Sequence, residues 1–242
     1  MSDLFISDLH LSPERPAINR AFFAFLENRV GKADNLYILG DLVEVWIGDD
    51  DPSPFTRELI QRLTAVTSTG TQVYFQQGNR DFLVGGKFAR ETGITLLPEY
   101  HLLTTAEGKL LICHGDTLCT DDLDYQAFRR KVRHPLVRWL LAHLPLKKRQ
   151  QIAQDWREKS RKANSNKADN IMDVNGNAVN AVMERFGASM LLHGHTHRPG
   201  VHLLEHGKRI VLGDWGKQGW YAEIGCEGIE LLSFPISAEG TI

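Results

Sequence analysis

Seven residues with oxygen or imidazole donors stand at the ends of short apolar runs: Asp8, His10, Asp41, Asn79, His114, His195 and His197. The runs share one grammar. Met1-Ser-Asp-Leu-Phe-Ile-Ser-Asp-Leu-His10, Tyr37-Ile-Leu-Gly-Asp41, Tyr74-Phe-Gln-Gln-Gly-Asn79-Arg80-Asp81, Leu110-Leu-Ile-Cys-His114-Gly-Asp116 and Met190-Leu-Leu-His-Gly-His195-Thr-His197 each end a β-like stretch in a potential metal ligand. Strand ends in an α/β sheet present side chains to the crevice beyond the carboxyl edge, where ligands bind. No thiolate is among the seven, so the set suits Mn²⁺, Fe²⁺ or Zn²⁺ and argues against Cu(I) or iron–sulfur. Seven donors exceed the need of one four-coordinate ion. Two ions about 3.5–4 Å apart would use them all if one carboxylate bridges. Asp41, central in the order, is the natural bridge. Asp8, His10 and His197 would complete one site, and Asn79, His114 and His195 the other.

Charge arithmetic supports that use. Two divalent ions bring about +4 and two ligand carboxylates return about −2, leaving about +2 before hydroxide binds. Neutral Asn79 preserves the excess. Such a site suits a phosphate oxyanion, and water on such ions loses a proton near neutral pH. Taken singly, each motif is weak. Asp-x-His and Gly-Asn-x-Asp are ordinary loop sequences, and a lone His in an apolar strand is usually a core residue. His101, His134, His143, His202 and His206 are expected to be of that kind, as is His193, which Gly194 separates from the ligating pair. The ordered combination carries the signal.

The elements that must position these residues follow from periodicity. Residues 3–7, 35–39 and 71–75 are apolar strands. Residues 18–30 and 58–67 are amphipathic helices, with Ile18, Phe22, Phe25, Leu26 and Val30, then Leu59, Leu63 and Val66, facing inward. Gly70 stops the second helix. Residues 87–91 form a short helix after a Gly85-Gly86 turn. Residues 102–105 and 109–113 flank Glu107-Gly108 as a hairpin. Residues 171–186 read as a core helix, 190–192 as a strand, and 209–212, 221–224 and 229–234 as terminal strands. This order predicts an α/β protein with mixed strands.

The stretch 122–165 breaks the pattern. It carries twelve Lys and Arg against Asp122, Asp124, Asp155 and Glu158. Leu136, Trp139, Leu140 and Leu144 form an apolar helical stripe between Pro135 and Pro145, and Ile152 and Trp156 repeat the spacing. The stretch reads as a helical insertion, both basic and apolar, in a single domain spanning 1–242. A basic helical pair buried on one side is the plainer alternative.

The 242 residues are 42% hydrophobic, enough for a core, and the formal net charge of −2 advertises no polyanion partner. Cys113, Cys119 and Cys226 follow no ligand spacing and are expected to be reduced thiols. No basic leader precedes the first strand, and no apolar run reaches the roughly 18 residues of a spanning helix. Any membrane contact is therefore expected to be peripheral.

The ordered set Asp8-x-His10, Gly40-Asp41, Gly78-Asn79-x-Asp81, His114-Gly115-Asp116 and Gly194-His195-x-His197 resembles the calcineurin-like metallophosphoesterases over nearly the whole chain. The resemblance implies an α/β (α+β four-layer) fold: a β-sandwich flanked by helices, with a helical lid insertion and a two-metal site. Trp46-Ile-Gly-Asp-Asp-Asp51, His114-Gly-Asp-Thr-Leu-Cys-Thr-Asp-Asp122, Ala163-Asn-Ser-Asn-Lys167 and Ile171-Met-Asp-Val-Asn175 narrow it to the lipid A pathway branch of that family. That branch implies Mn²⁺-dependent hydrolysis of UDP-2,3-diacylglucosamine to lipid X and UMP at the cytoplasmic face of the inner membrane. It implies substrate contacts at Asn79, Arg80, Asp122, Ser160, Asn164, Lys167 and His195. The implied reaction is attack of a metal-bound hydroxide on the phosphorus attached to uridine, with Asn79, Arg80 and His195 stabilising the transition state.

Arg80 stands where many relatives carry a proton-donating His. Arg donates no proton at usable pH. A pyrophosphate needs none, because its leaving group is a phosphate monoester with a second pKa of roughly 6. The alternative for Arg80 is a simple pair with Asp81. An apolar stripe beside basic residues suits a diacyl diphosphate and an anionic membrane surface, so Leu136, Trp139, Leu140 and Leu144 are either acyl or membrane contacts or plain core. Asp116 and the Asp49 to Asp51 run are either loop-ordering groups or solvated carboxylates. A soluble nucleotide pyrophosphatase or phosphodiesterase would not need the stripe. A non-catalytic scaffold could lose ligands, and none is missing. A nucleic-acid partner is disfavoured by the overall charge, and no obligate protein partner is evident.

Overall fold

Strict alternation of apolar side chains builds the layers. The structure, a computed structural model, describes residues 2–164, 173–225 and 228–237. β1 (Asp3–Ile6) sends Leu4 and Ile6 to one face and Phe5 to the other. β2 (Asn35–Ile38) and β3 (Gln72–Phe75) repeat this with Leu36, Ile38, Val73 and Phe75 against Tyr37 and Tyr74. The three strands are parallel, and the register places Phe5, Tyr37 and Tyr74 side by side with rings stacked 4.7 Å apart. β4 (Thr95–Leu96) joins parallel to β3, while β10 (Gln218–Gly225) and β11 (Gly228–Pro235) add antiparallel beyond β1. The second sheet holds β5 (Tyr100–Thr105), β6 (Gly108–Cys113), β7 (Met190–His193), β8 (Gly200–Leu204) and β9 (Gly207–Val211) in the order β5-β6-β7-β9-β8. Its three central strands are parallel and its edges antiparallel.

The sheets pack face to face through Phe5, Tyr37, Leu39, Leu110, Ile112, Met190, Leu192 and Ile210. α1 (Pro16–Asn28), α2 (Pro54–Ser68) and α3 (Gly86–Thr92) cover the outer face of the first sheet. After β6 come α4 (Leu123–Val132), α5 (Pro135–His143), α6 (Leu146–Asn164) and α7 (Gly176–Phe186). α7 covers the second sheet through Val179, Val182 and Met183. This is the expected four-layer calcineurin-like arrangement of mixed sheets flanked by helices.

α4 to α6 have a thin core of their own. Among the described residues the buried apolar side chains there are Val132 and Leu141, with Phe82 of the body, and Val137, Leu144, Ile152 and Trp156 are half-buried around them. Each buried side chain contributes about 1.5–3 kcal/mol, little against the entropy of ordering three helices. Polar clips add to it. Arg129 Nε donates to Asp116 Oδ2 (2.6 Å), and Arg133 donates to the carbonyls of Gln77 and Gly78 (3.1 and 2.8 Å). Arg149 donates to Asp50 and to the Ile47 carbonyl (2.7 Å). Leu136, Trp139 and Leu140 are 71%, 60% and 55% exposed, so plain core packing is wrong for them. Leu144 alone of that stripe packs inward.

Several boundaries differ from the periodicity. α2 starts at Pro54 because Ser53 Oγ accepts from Thr56 N (3.2 Å) and caps it. α7 starts at Gly176 because the Asn175 side chain caps it; residues 171 and 172 of the expected helix lie outside the described residues. β8 was hidden because it is an edge strand with exposed Val201, His202 and Leu203, which show no inward face. His134, His143, His202 and His206 are exposed and His101 half-buried, so the core role expected for them is wrong. His134 instead caps α5 through Leu136 N (3.3 Å).

The acidic run orders loops. Asp51 binds Ser53 and Thr56 at the start of α2, and Asp50 holds Arg149. Asp49 accepts from Gly85 N (3.0 Å), Lys87 N (3.1 Å), Phe88 N (3.0 Å) and Trp46 Nε1 (3.0 Å), capping α3 from a distant loop. Asp49→Ala should therefore lower stability by about 1–2 kcal/mol, read as a lower urea midpoint at unchanged slope. A midpoint equal to that of the unmodified chain would contradict the capping role.

Candidate metal centre

The donors meet where the strand ends of both sheets converge. Asp8 and His10 follow β1, Asp41 follows β2, Asn79 follows β3, His114 follows β6, and His195 and His197 follow β7. Asp8 N donates to the Gly40 carbonyl (3.1 Å) and His10 N to the Asp41 carbonyl (3.0 Å), zipping the first two loops together. Among the described non-glycine residues, only Asp8, His10, Asp41, His195 and His197 have positive φ, from 51° to 67°. That left-handed backbone is uncommon and clusters at functional sites. Gly78 is needed for close approach: a Cβ there would lie 2.2 Å from Asp41 Oδ1.

Two donor groups emerge. Asp8, His10 and His197 form one, and Asp8, Asp41 and His114 the other, with the atoms of each group within 4.8 Å of one another. His10 Nε2 lies 3.4 Å from His197 Nε2 and 4.0 Å from Asp41 Oδ2. The other Asp41 oxygen lies 3.7 Å from His114 Nε2. Asp41 thus shows one oxygen to each group, as a bridge requires, and Asp8 also reaches both. Asn79 Oδ1 is 3.0 Å from His114 Nε2, and the His195 ring centroid is 5.0 Å from that of His114. All seven residues singled out in the sequence are brought to this crevice.

The side chains fit a cation. Asp8 Oδ2 is satisfied by Ser7 Oγ (2.6 Å) and His195 N (2.8 Å), but buried Oδ1 has no hydrogen bond and faces His197 Nε2 at 3.3 Å. His114 Nδ1 donates to the Leu39 carbonyl (2.8 Å), so Nε2 is the nitrogen turned to the Asn79 oxygen (3.0 Å) and the one available to a metal once deprotonated. Burial would drive protons off these imidazoles, yet the nearby carboxylates prevail at two of them. His197 is raised to about 9 by Asp8, and His114 is raised by Asp41, Asp8 and Asp116. Burial and the neighbouring His114 lower His195 to about 4. Burial also opposes ionisation of Asp8, but His197, His114 and His10 outweigh it and hold the carboxyl far below its usual range.

The surroundings are acidic groups with fixed tasks. Asp81 accepts from Gly78 N (2.7 Å) and Leu42 N (2.8 Å), and no ion pair joins it to Arg80. Burial and the Asp41 charge raise it to about 7. Asp116 binds Arg129 and the Tyr125 hydroxyl (2.8 Å), fixing the base of α4. Asp122 caps α4 by accepting from Tyr125 N (3.1 Å). Beside the centre lies a cavity of about 460 Å³. Its lining is mostly apolar, with Trp46, Phe82, Phe128 and Trp156 among the side chains, and it includes Asn79, Arg80, Arg157 and Ser160. Asn164 ends α6, and Lys167 lies outside the described residues. Sequence reasoning missed Glu44, Tyr125 and the task of Arg133. Glu44 had a signal, a lone charge inside the apolar run Leu42-Val-Glu-Val-Trp-Ile47.

Comparison with known proteins agrees with this geometry. The chain is 51% identical over 239 residues to the UDP-2,3-diacylglucosamine hydrolase of Escherichia coli O7:K1, covering 97% of this chain and 100% of that one. The same identity and coverage hold for the UDP-2,3-diacylglucosamine hydrolase of Escherichia fergusonii. Among solved structures, Vacuolar Protein Sorting 29 from Cryptosporidium parvum superposes with a TM-score of 0.51 at 14% identity, over 98% of this chain and 92% of that one, a likeness of fold alone. The family described as calcineurin-like phosphoesterase matches residues 1–199, and to that family the chain belongs.

Proposed function

We propose that this chain is a divalent-metal-dependent hydrolase that cleaves the pyrophosphate of UDP-2,3-diacylglucosamine, giving UMP and 2,3-diacylglucosamine 1-phosphate. The observation that carries the reading is a largely apolar cavity whose lining includes Asn79 and Arg80, with the Asn79 side chain 3.0 Å from the His114 donor. Acyl chains match the apolar lining, and a diphosphate matches the basic residues within it. The name of the two Escherichia relatives points to the same substrate.

Asp8, His10, Asp41, Asn79, His114, His195 and His197 would hold two Mn²⁺ ions. Such ions polarise phosphoryl oxygens and lower the pKa of water. The chain's own residues do the rest. The P–O bond on the uridine side of the anhydride breaks, and the new oxygen goes to UMP. The sugar 1-phosphate leaves as an anion without a proton, since its second pKa is roughly 6. Arg80 lines the cavity, and its buried Nε is unpartnered, so the guanidinium is free to meet the developing charge. Asn79 and His195 flank the same point. Ser160, Asn164, Lys167 and Asp122 are assigned to the sugar and amide groups. The 122–165 stretch acts as a cap over a domain of 1–242.

The exposed Leu136, Trp139 and Leu140 on α5 sit close to Arg130, Lys131, Lys147 and Lys148 in the chain, a pairing suited to an anionic bilayer surface. No helix among the described residues is long and apolar enough to cross a membrane. Peripheral contact with the cytoplasmic face of the inner membrane follows from the substrate's location.

Three outcomes test the reading. In a ³¹P assay with Mn²⁺ in ¹⁸O-water, UDP-2,3-diacylglucosamine should give labelled UMP and unlabelled sugar phosphate, and chelation should stop turnover. Label in the sugar phosphate, or equal turnover of soluble nucleotide pyrophosphates, would sink the assignment. Arg80→His should cut pyrophosphate turnover about 10²–10³-fold and raise activity on simple phosphodiesters; undiminished pyrophosphate turnover rules out the role. Leu136→Ser, Trp139→Ser and Leu140→Ser combined should weaken binding to anionic vesicles while sparing a short-chain substrate in solution. Equal loss on both would mean the stripe is only structural.

A further inference from the structure

One carboxylate touches both the metal centre and the helical cap. Glu44 lies between the buried Val43 and the half-buried Val45, its side chain only 16% exposed. Its Oε2 is 3.2 Å from His10 Nδ1, and its Oε1 accepts from Arg157 Nε on α6 at 2.9 Å. His10 turns its other nitrogen toward His197 and Asp41. His10 Nδ1 is buried without a well-aligned hydrogen bond, and Glu44 is the acceptor in reach. An imidazole that ligates through one nitrogen carries its proton on the other, and the acceptor of that proton fixes tautomer and ring angle.

We infer that Glu44 is a positioning residue that couples occupancy of the metal centre to the seating of α6. The inference rests on His10 being a metal ligand, as proposed above. A carboxylate pinned by Arg157 holds its second oxygen toward His10. A His10 ring fixed by a bound ion holds the carboxylate toward Arg157. Coupling of this kind is reciprocal, so each event strengthens the other. The second clip of α6 offers a control. Arg149 is 5% exposed and grips Asp50 and the Ile47 carbonyl, and none of these touches a donor of the centre. Loosening α6 there reaches His10 only by way of Arg157 and Glu44.

The test uses the full chain, with Mn²⁺ affinity from the paramagnetic resonance of free ion and amide hydrogen exchange across residues 146–160. In the unmodified chain, Mn²⁺ should slow exchange in α6. Glu44→Gln keeps size and folding while removing the charge, and should weaken Mn²⁺ affinity about tenfold and abolish the slowing. Arg157→Ala should weaken Mn²⁺ affinity measurably although it touches no ligand, and Arg157→Lys should recover part of it. Asp50→Asn should speed exchange in α6 and weaken Mn²⁺ affinity only while Glu44 is present, leaving the affinity of Glu44→Gln unchanged when the two are combined. Unchanged affinity in Arg157→Ala, or Mn²⁺-dependent slowing that survives in Glu44→Gln, overturns the coupling while leaving the metal centre intact. An unmodified chain that binds no Mn²⁺ removes the metal reading, and the coupling with it.

Discussion

Four carboxylates, Asp8, Asp41, Asp81 and Asp116, are at most 2% exposed around one crevice. A buried charge is costly unless it is paired and hydrogen-bonded. The chain answers two of them by itself. Asp116 has Arg129 and Arg133. Asp81 has two backbone N–H groups, and burial beside Asp41 raises its pKa and so disfavours its charge. Asp8 and Asp41 are answered only by imidazoles and a few donors, and Asp8 retains an oxygen without a hydrogen bond. This inequality separates the groups that hold the loops from the groups left to bind a cation. The parallel strands, the Gly78 close approach and the zipped loops after β1 and β2 all serve to keep it in place.

Much of this was legible in the sequence because the relevant signals are local. The apolar runs Leu4-Phe5-Ile6 and Leu36-Tyr37-Ile38 placed the strands, and the donors at their ends placed the centre. The convergence of both sheets on one edge came from the order of motifs, since composition alone says nothing of it. What stayed hidden depends on contacts distant in the chain. Asp49 caps a helix that begins 37 residues later, at Gly86. Arg133 binds the carbonyl of Gly78, and Arg157 binds Glu44. Nothing in the basic stretch distinguishes these arginines from their solvated neighbours. β8 was missed for a different reason: an edge strand exposed on both faces has no alternation to detect.

The cap and the body differ in how they are held. The body has layers of fully buried Leu, Ile and Phe. The helices α4 to α6 have two buried apolar side chains, Val132 and Leu141, packed with Phe82 of the body, and several arginine clips that close on the loops after β2 and β3. Regions with few buried apolar contacts lie at the low-stability end of a fold. Placing such a region over the chamber lets it give way to long chains without disturbing the sheets. Leu136, Trp139 and Leu140 face outward from it, away from that small core.

The left-handed backbone at Asp8, His10, Asp41, His195 and His197 restricts what can replace them. Asn and Gly tolerate that conformation, whereas a β-branched residue carries strain there as well as losing the donor. A descendant released from hydrolysis would therefore drift first toward amides and glycine at these five positions. Its loops would keep their shape as a fossil imprint long after the chemistry had gone.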